Sequence, residues 1–199
     1  MSFSAEVKAE LFNRYPEGSC CRLAECSAIF RFCAKSAKNE TNSEDFLASM
    51  DSSLAAKCFT LGEKRFSMDK VCDSMDGSLD PQILRKSCCK RAFLRGAFLA
   101  VGSMTDPKKG YHLEFLSRTE QNALLLCRLA SDFQVELKCA RRAGGFGAYV
   151  KDGESIVEML AILEAPLAVM EAENSRIVKE VRNAVNRKVN CETANIGKT

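Results

Sequence analysis

Cys26-Ser-Ala-Ile-Phe-Arg-Phe-Cys-Ala34 and Leu94-Arg-Gly-Ala-Phe-Leu-Ala-Val-Gly102 are the two stretches on which the fold turns. Each is an apolar segment of helical character that carries small residues, Ala28 and Ala34 in one, Gly96, Ala100 and Gly102 in the other. Small residues at such spacing let two helices cross backbone to backbone. Gly96 and Ala100, four apart, mark the expected closest crossing. The stretches begin 68 residues apart, as two copies of one unit would.

Outward from them, Val7, Leu11 and Phe12 predict a helix over about 4–14, stopped at Tyr15-Pro16-Glu17-Gly18. The first motif helix is expected from Cys20 to Ala34. Short strands are expected at Phe46–Met50 and Arg65–Val71, flanking a helix from Ser52 to about Gly62 with Leu54, Ala55, Cys58 and Leu61 inward. Turn residues fill Asp73 to Pro81 and set an internal boundary there. The second motif helix is expected to open at Pro81 and to end at Gly102 as a C-terminal cap. Its basic run, Arg85, Lys86, Lys90, Arg91 and Arg95, could track a nucleic-acid backbone, but Arg95 lies within the motif, where pairing with a carboxylate across the helix interface is the favoured role.

After it, Tyr111–Phe115 alternates as a strand and Glu120–Phe133 reads as a helix. Val135–Ala143 and Phe146–Val150 flank Gly144-Gly145, a hairpin signal. Amphipathic helices follow from Glu154 to Leu163 and from Pro166 to about Val189. The last has Ile177, Val181, Ala184, Val185 and Lys188 on one face, free to dock, and Arg176, Lys179, Asn183 and Arg187 on another. Asn190 to Thr199 reads as a polar linker. Strand, helix, hairpin and helix after a motif helix make an α+β unit.

Composition narrows the function classes. No run approaches the roughly 20 apolar residues of a membrane span, and Met1 to Lys8 lacks the apolar core of a signal peptide. A cytoplasmic protein without a membrane partner is expected. Its eleven cysteines then read as reduced. The usual zinc spacings are absent, so no metal or cofactor is expected. Cys20, Cys21 and Cys26 offer a soft-metal cluster in principle, but burial as small hydrophobes is favoured. The net charge is −3 over residues 1–80 and +6 over 81–199, so the second part is the one suited to phosphates.

Aligned on their glycine ends, the two stretches resemble the nine-residue LAGLIDADG motif of homing endonucleases, with Ala28 and Gly96 at its first glycine and Ala34 and Gly102 at its last. The segments from Cys88-Cys-Lys-Arg-Ala-Phe-Leu-Arg-Gly96 on to Glu114 and from Asn174 to Thr199, with the opening Met-Ser-Phe-Ser-Ala-Glu-Val-Lys, resemble the WhiA family of bacterial sporulation and cell-division transcription regulators. The resemblance implies a LAGLIDADG homing-endonuclease-like α+β fold of two degenerate α/β repeats packed through their motif helices. Residues 1–80 would be a shortened first repeat, 81–170 the second, and 171–199 a C-terminal helix and linker toward a helix-turn-helix domain. That domain would carry most of the binding to double-stranded DNA, and protein partners in transcription are also implied. Residues 40–80 look shorter than the family's first repeat.

In a LAGLIDADG nuclease the acid before the last glycine of each motif holds the divalent cations. Cys33 and Val101 stand there and supply no hard oxygen ligand, so no catalytic residue and no DNA hydrolysis are expected. No nucleophile and base can be paired, and His112, the only histidine, reads as a surface or core-edge residue. Gly144-Gly145-Phe-Gly147 lies between strands and is a turn, not a phosphate loop. If the sheet faces DNA, its outward residues are His112, Glu114, Glu136, Lys138, Arg142, Tyr149 and Lys151, with Arg141 near the turn. Arg176, Lys179, Arg187 and Lys188 add basic candidates on the last helix. The leading function is a DNA-binding regulator with a silent scaffold. The alternatives are a protein-interaction module that positions the DNA-binding part, and an active endonuclease, which the missing acids disfavour.

Overall fold

A computed structural model describes residues 2–33, 51–62 and 82–196, without the side chains of 194–196. The strands expected at 46–50 and 65–71, the boundary at 73–81 and Ala34 lie outside the described residues. The order is α1 (Phe3–Phe12), α2 (Ser19–Cys33), α3 (Ser52–Gly62), α4 (Ser87–Val101), β1 (Gly102–Met104), β2 (Leu113–Ser117), α5 (Glu120–Ser131), β3 (Lys138–Arg142), β4 (Gly145–Val150), α6 (Gly153–Leu163) and α7 (Pro166–Ile196). No helix among the described residues is long and apolar enough to cross a membrane.

The two motif helices, α2 and α4, pack along each other as the central pair. Of their small residues, Gly96 and Ala28 meet at the crossing. A Cβ on Gly96 would strike the Glu25 carbonyl oxygen and stand 3.0 Å from the Ala28 Cβ. Ala28 is fully buried, whereas Ala100 is half-buried and lines a groove with Lys8, Phe12, Asp51 and Leu54.

Two expectations about α4 are corrected. It starts at Ser87, because residues 82–86 form a turn in which the Arg85 N–H donates to the Gln82 carbonyl. Arg85 and Lys86 therefore lie outside it. Nor is Gly102 a left-handed cap: at φ −75°, ψ 147° it is extended and begins β1, a strand absent from the sequence reading. Its lack of a side chain is needed for space, since a Cβ would collide with Phe98.

The strands form one antiparallel sheet in the order β1-β2-β4-β3. Leu113, Phe115, Ala148 and Val150 alternate toward the helices and are buried, with α5 and α4 packed against them. The β3–β4 hairpin turns at Ala143-Gly144, one residue before the expected Gly144-Gly145, and Gly145, which opens β4 opposite Arg142, needs its positive φ of 142°. Thr119 and Asp152 cap α5 and α6. Glu10 on α1 accepts from the Leu167 and Ala168 N–H groups at the start of α7.

Helix α7 runs to Ile196, seven residues past the expected end and into the expected linker. Only its first third is seated, through Ala168, Ala172 and Ser175. Beyond it Ile177, Val181, Val185 and Val189 are each more than half exposed. The expected docking face is thus uncovered within the described residues.

The cysteines also depart from expectation. Cys26 is buried with Cys58, Ile29, Phe30 and Leu61 in a small core between α2 and α3. Cys20 and Cys88 instead reach the surface, and Cys20 and Cys21 face Cys88 and Cys89 rather than Cys26.

Candidate nucleic-acid interface

Charge is buried at the helix crossing, where α2, α3 and α4 meet. Arg95 donates through Nε and Nη2 to Glu25 Oε2 at 3.0 and 2.7 Å, and through Nη1 to Glu164 Oε2 at 2.7 Å. The favoured role for Arg95, an ion pair across the interface, is the observed one. Lys57 is equally buried, and its ammonium donates to the Leu11, Phe12 and Arg14 carbonyls at 3.1, 2.7 and 2.7 Å. Those bonds use all three of its protons. Its 3.3 Å approach to Glu25 Oε1 is therefore Coulombic attraction, and that oxygen accepts no hydrogen bond. Burial lowers the Lys57 pKa, and the Glu25 charge opposes the shift.

Around the motif-acid positions the chemistry is soft and apolar. Cys33 is half-buried, and desolvation pushes its thiol up to about 11, so it stays protonated at neutral pH. Val101 is half-buried alkyl. Neither supplies an oxygen to a hard cation.

The sheet face turned away from the helices carries polar and aromatic groups. The register pairs Glu114 and Lys138 with Tyr149, which places all three on that face. Arg142 joins them: its Nε donates to Glu114 Oε1 at 2.6 Å and its guanidinium lies 4.7 Å from the Tyr149 ring centroid. The Glu114 carboxylate raises the Arg142 pKa. Lys151 Nζ stands 5.6 Å from the same ring. His112 sits at the edge, half-buried, with Nε2 3.4 Å from Glu114 Oε2. The Glu114 carboxylate, which alone would repel a phosphate, is thus largely neutralised by Arg142, while Glu136 is exposed. Arg141, paired in register with Phe146, falls on the opposite side of β3.

The basic residues of α7 are less available than the sequence suggests. Arg176 is held by Glu173 at 3.0 Å, Lys179 lies 4.2 Å from the Tyr111 ring centroid, and Arg187 donates to the Asn183 carbonyl. Lys188 is exposed. Sequence reasoning missed Glu25, Lys57 and Glu164. For Lys57 a signal existed, because with Leu54, Cys58 and Leu61 it completes the i, i+3, i+4, i+7 pattern of an inward face.

Residues 90–182 match the WhiA LAGLIDADG-like domain family. Over its full length the chain is 36% identical to a probable cell division protein WhiA of Alkaliphilus oremlandii, covering 75% of that protein. It is likewise 37% identical to one from Heliobacterium modesticaldum, covering 74%. The first of these alignments spans 243 positions, so that relative carries segments with no counterpart here. The crystal structure of full-length DUF199/WhiA from Thermatoga maritima superposes with a TM-score of 0.71 at 20% identity, over the whole chain and 74% of that structure.

Proposed function

Since this chain belongs to the WhiA family and has its LAGLIDADG-like fold, we propose that it acts in a DNA-binding transcription regulator of cell division and sporulation. Within it these residues form a scaffold that performs no hydrolysis. The protein would work in the cytoplasm, at the nucleoid. The observation that carries this reading is the open sheet face, where Lys138, Arg142 and Lys151 surround Tyr149 and the nearest carboxylate is already paired. Such a face contacts phosphates and sugars without base-specific reading. Cys33 and Val101 support the absence of hydrolysis, since the divalent-ion chemistry of a nuclease needs oxygen ligands there.

Fluorescence anisotropy with duplex DNA across a salt series tests it. The chain should bind at low salt with a steep salt dependence, and Lys138→Ala/Lys151→Ala should lower the slope by about two. Plasmid should stay uncut with Mg²⁺ or Mn²⁺. Metal-dependent cleavage by the clean protein would sink the non-catalytic part.

One observation favours a second reading, a module that docks a protein partner and touches DNA little. The projecting part of α7 presents Ile177, Val181, Val185 and Val189 to solvent, the kind of apolar stripe that seats a partner helix or groove. Absence of any salt-sensitive DNA binding would select that reading.

A further inference from the structure

The adjacent cysteines recur at the motif's own interval. Ser19-Cys20-Cys21 and Ser87-Cys88-Cys89 stand 68 residues apart, the same offset as Ala28 and Gly96. They open α2 and α4 at equivalent positions in the first turn. Because equivalent ends of the two packed helices meet, the pairs meet too: all four Sγ atoms lie within 4.8 Å of one another. The Cys20 and Cys21 thiols of α2 thus face the Cys88 and Cys89 thiols of α4 across the helix pair. None of the four is in a disulfide.

Packing alone does not account for this group. Cys89 is buried and Cys21 half-buried, but Cys20 and Cys88 are exposed, so half the cluster gives up the burial that a small hydrophobe would gain. Burial raises the thiol pKa of Cys21 and Cys89, so these two sulfurs ionise only in company with a cation. Two helix N-termini converge on the sulfurs with their partial positive charge. The start of α4 lacks a side-chain cap, since Lys86 makes no capping bond, and the Lys86 charge acts on Cys20. Gly18 keeps the near side open: even a Cβ there would stand 3.8 Å from the Sγ atoms of Cys20 and Cys21.

We propose that Cys20, Cys21, Cys88 and Cys89 form a four-thiolate site for one zinc ion that staples the N-terminal ends of the two motif helices. A regular tetrahedron with the 4.8 Å edge has its centre about 2.9 Å from each corner, so small χ1 rotations reach the about 2.3 Å of a Zn–S bond. The sulfurs are too close together to enclose a multi-iron cluster. Four protein ligands close the coordination shell, so the site is structural and offers no position for substrate. Zn²⁺ entry releases four protons and leaves a dianionic centre, which the two helix ends and Lys86 offset. The exposed Cys20 and Cys88 give the ion its route in.

The test uses the whole chain, purified reduced and without chelator. Elemental analysis should give about one zinc per chain, set free when a mercurial reagent blocks the thiols. Co²⁺ added to the zinc-free chain should give the thiolate charge-transfer and d–d bands of a tetrahedral S₄ site. Cys20→Ser/Cys88→Ser, at exposed positions that keep the fold, should abolish both signals, while Cys139→Ser, an exposed cysteine outside the cluster, should leave them intact. Chelation should lower the unfolding midpoint of the parent chain and not that of the double variant. A reduced, folded chain that takes up no cobalt would overturn the proposal. So would mass spectrometry showing Cys20–Cys89 and Cys21–Cys88 disulfides as the form isolated under mild conditions.

Discussion

The Glu25–Arg95 pair in the helix interface and the Glu114–Arg142 pair on the sheet have nearly the same length, 2.7 and 2.6 Å. Their consequences differ because their surroundings do. Glu25 and Arg95 are sealed between α2, α3 and α4, while a third of the Arg142 side chain is open to water. A buried charge that loses its partner cannot recover hydration, whereas a surface charge recovers most of it. The molecule thus has a region where a single polar atom is structurally decisive and another where comparable atoms are free to serve binding.

The helix crossing should show the largest effect. Gly96→Leu drives a side chain into the Glu25 carbonyl and Ala28, and backbone cannot withdraw as a flexible side chain could. We expect a loss of about 4 kcal/mol or more, roughly 8–16 °C in Tm, or no folded protein at all. A variant that melts with the parent would refute the close crossing.

Next comes the buried ion network. Glu25→Gln leaves Lys57 and Arg95 beside a neutral amide, at an expected cost of about 3–5 kcal/mol in denaturant unfolding. Adding Lys57→Met should restore part of that loss, because Arg95 keeps Glu164 and one uncompensated charge disappears. If the double variant is less stable than the single one, the bonds from Lys57 to the α1 carbonyls outweigh its charge.

How much of this was legible follows from the same contrast. Helix α3 has the expected bounds, the hairpin turns within one residue of its glycines, and Arg95 pairs across the interface as expected, since each is encoded by local pattern or by a charge inside an apolar motif. Strand β1 is three residues long, too short for its alternation to stand out in the sequence. The tail of α7 has no buried face past Ser175, so apolar periodicity could not reveal its length. Lys57 hid because a charge on an inward face is discounted when its carboxylate partner is 32 positions away. The four-cysteine group hid because Cys26 was grouped by proximity in sequence, although the 68-residue interval already related Cys20-Cys21 to Cys88-Cys89.

At the sheet's exit, Asp152 caps α6 by accepting from the Ser155 N–H at 2.8 Å. That bond is the main reason its carboxyl pKa lies below the usual value. A depressed carboxyl adds stability that is complete above its unfolded pKa of about 3.9 and is lost as pH falls through the lower folded value. Asp152→Ala should therefore cost about 1 kcal/mol or less near neutrality, given the exposure of the group. The difference from the parent should shrink below pH ~4, while Asp152→Asn, which still caps, should keep most of the stability at both ends. A gap that widens in acid would contradict the capping account.

The smallest stability effect, and the sharpest functional one, belongs to Glu114 and Arg142. Replacing either should leave Tm unresolved from the parent, because both reach water and neither seals the core. Their effects on DNA should have opposite signs. Arg142→Ala removes a cation and also releases the Glu114 carboxylate toward an approaching phosphate, so affinity should fall and the salt slope should drop by about one or more. Glu114→Gln frees Arg142 from its partner and should tighten binding at low salt. Equal shifts in both variants would point to a disturbed sheet instead of a contact. No shift in either, with DNA still bound by the parent chain, would move the interface off the sheet and onto α7, where the exposed Lys188 is the residue to change next.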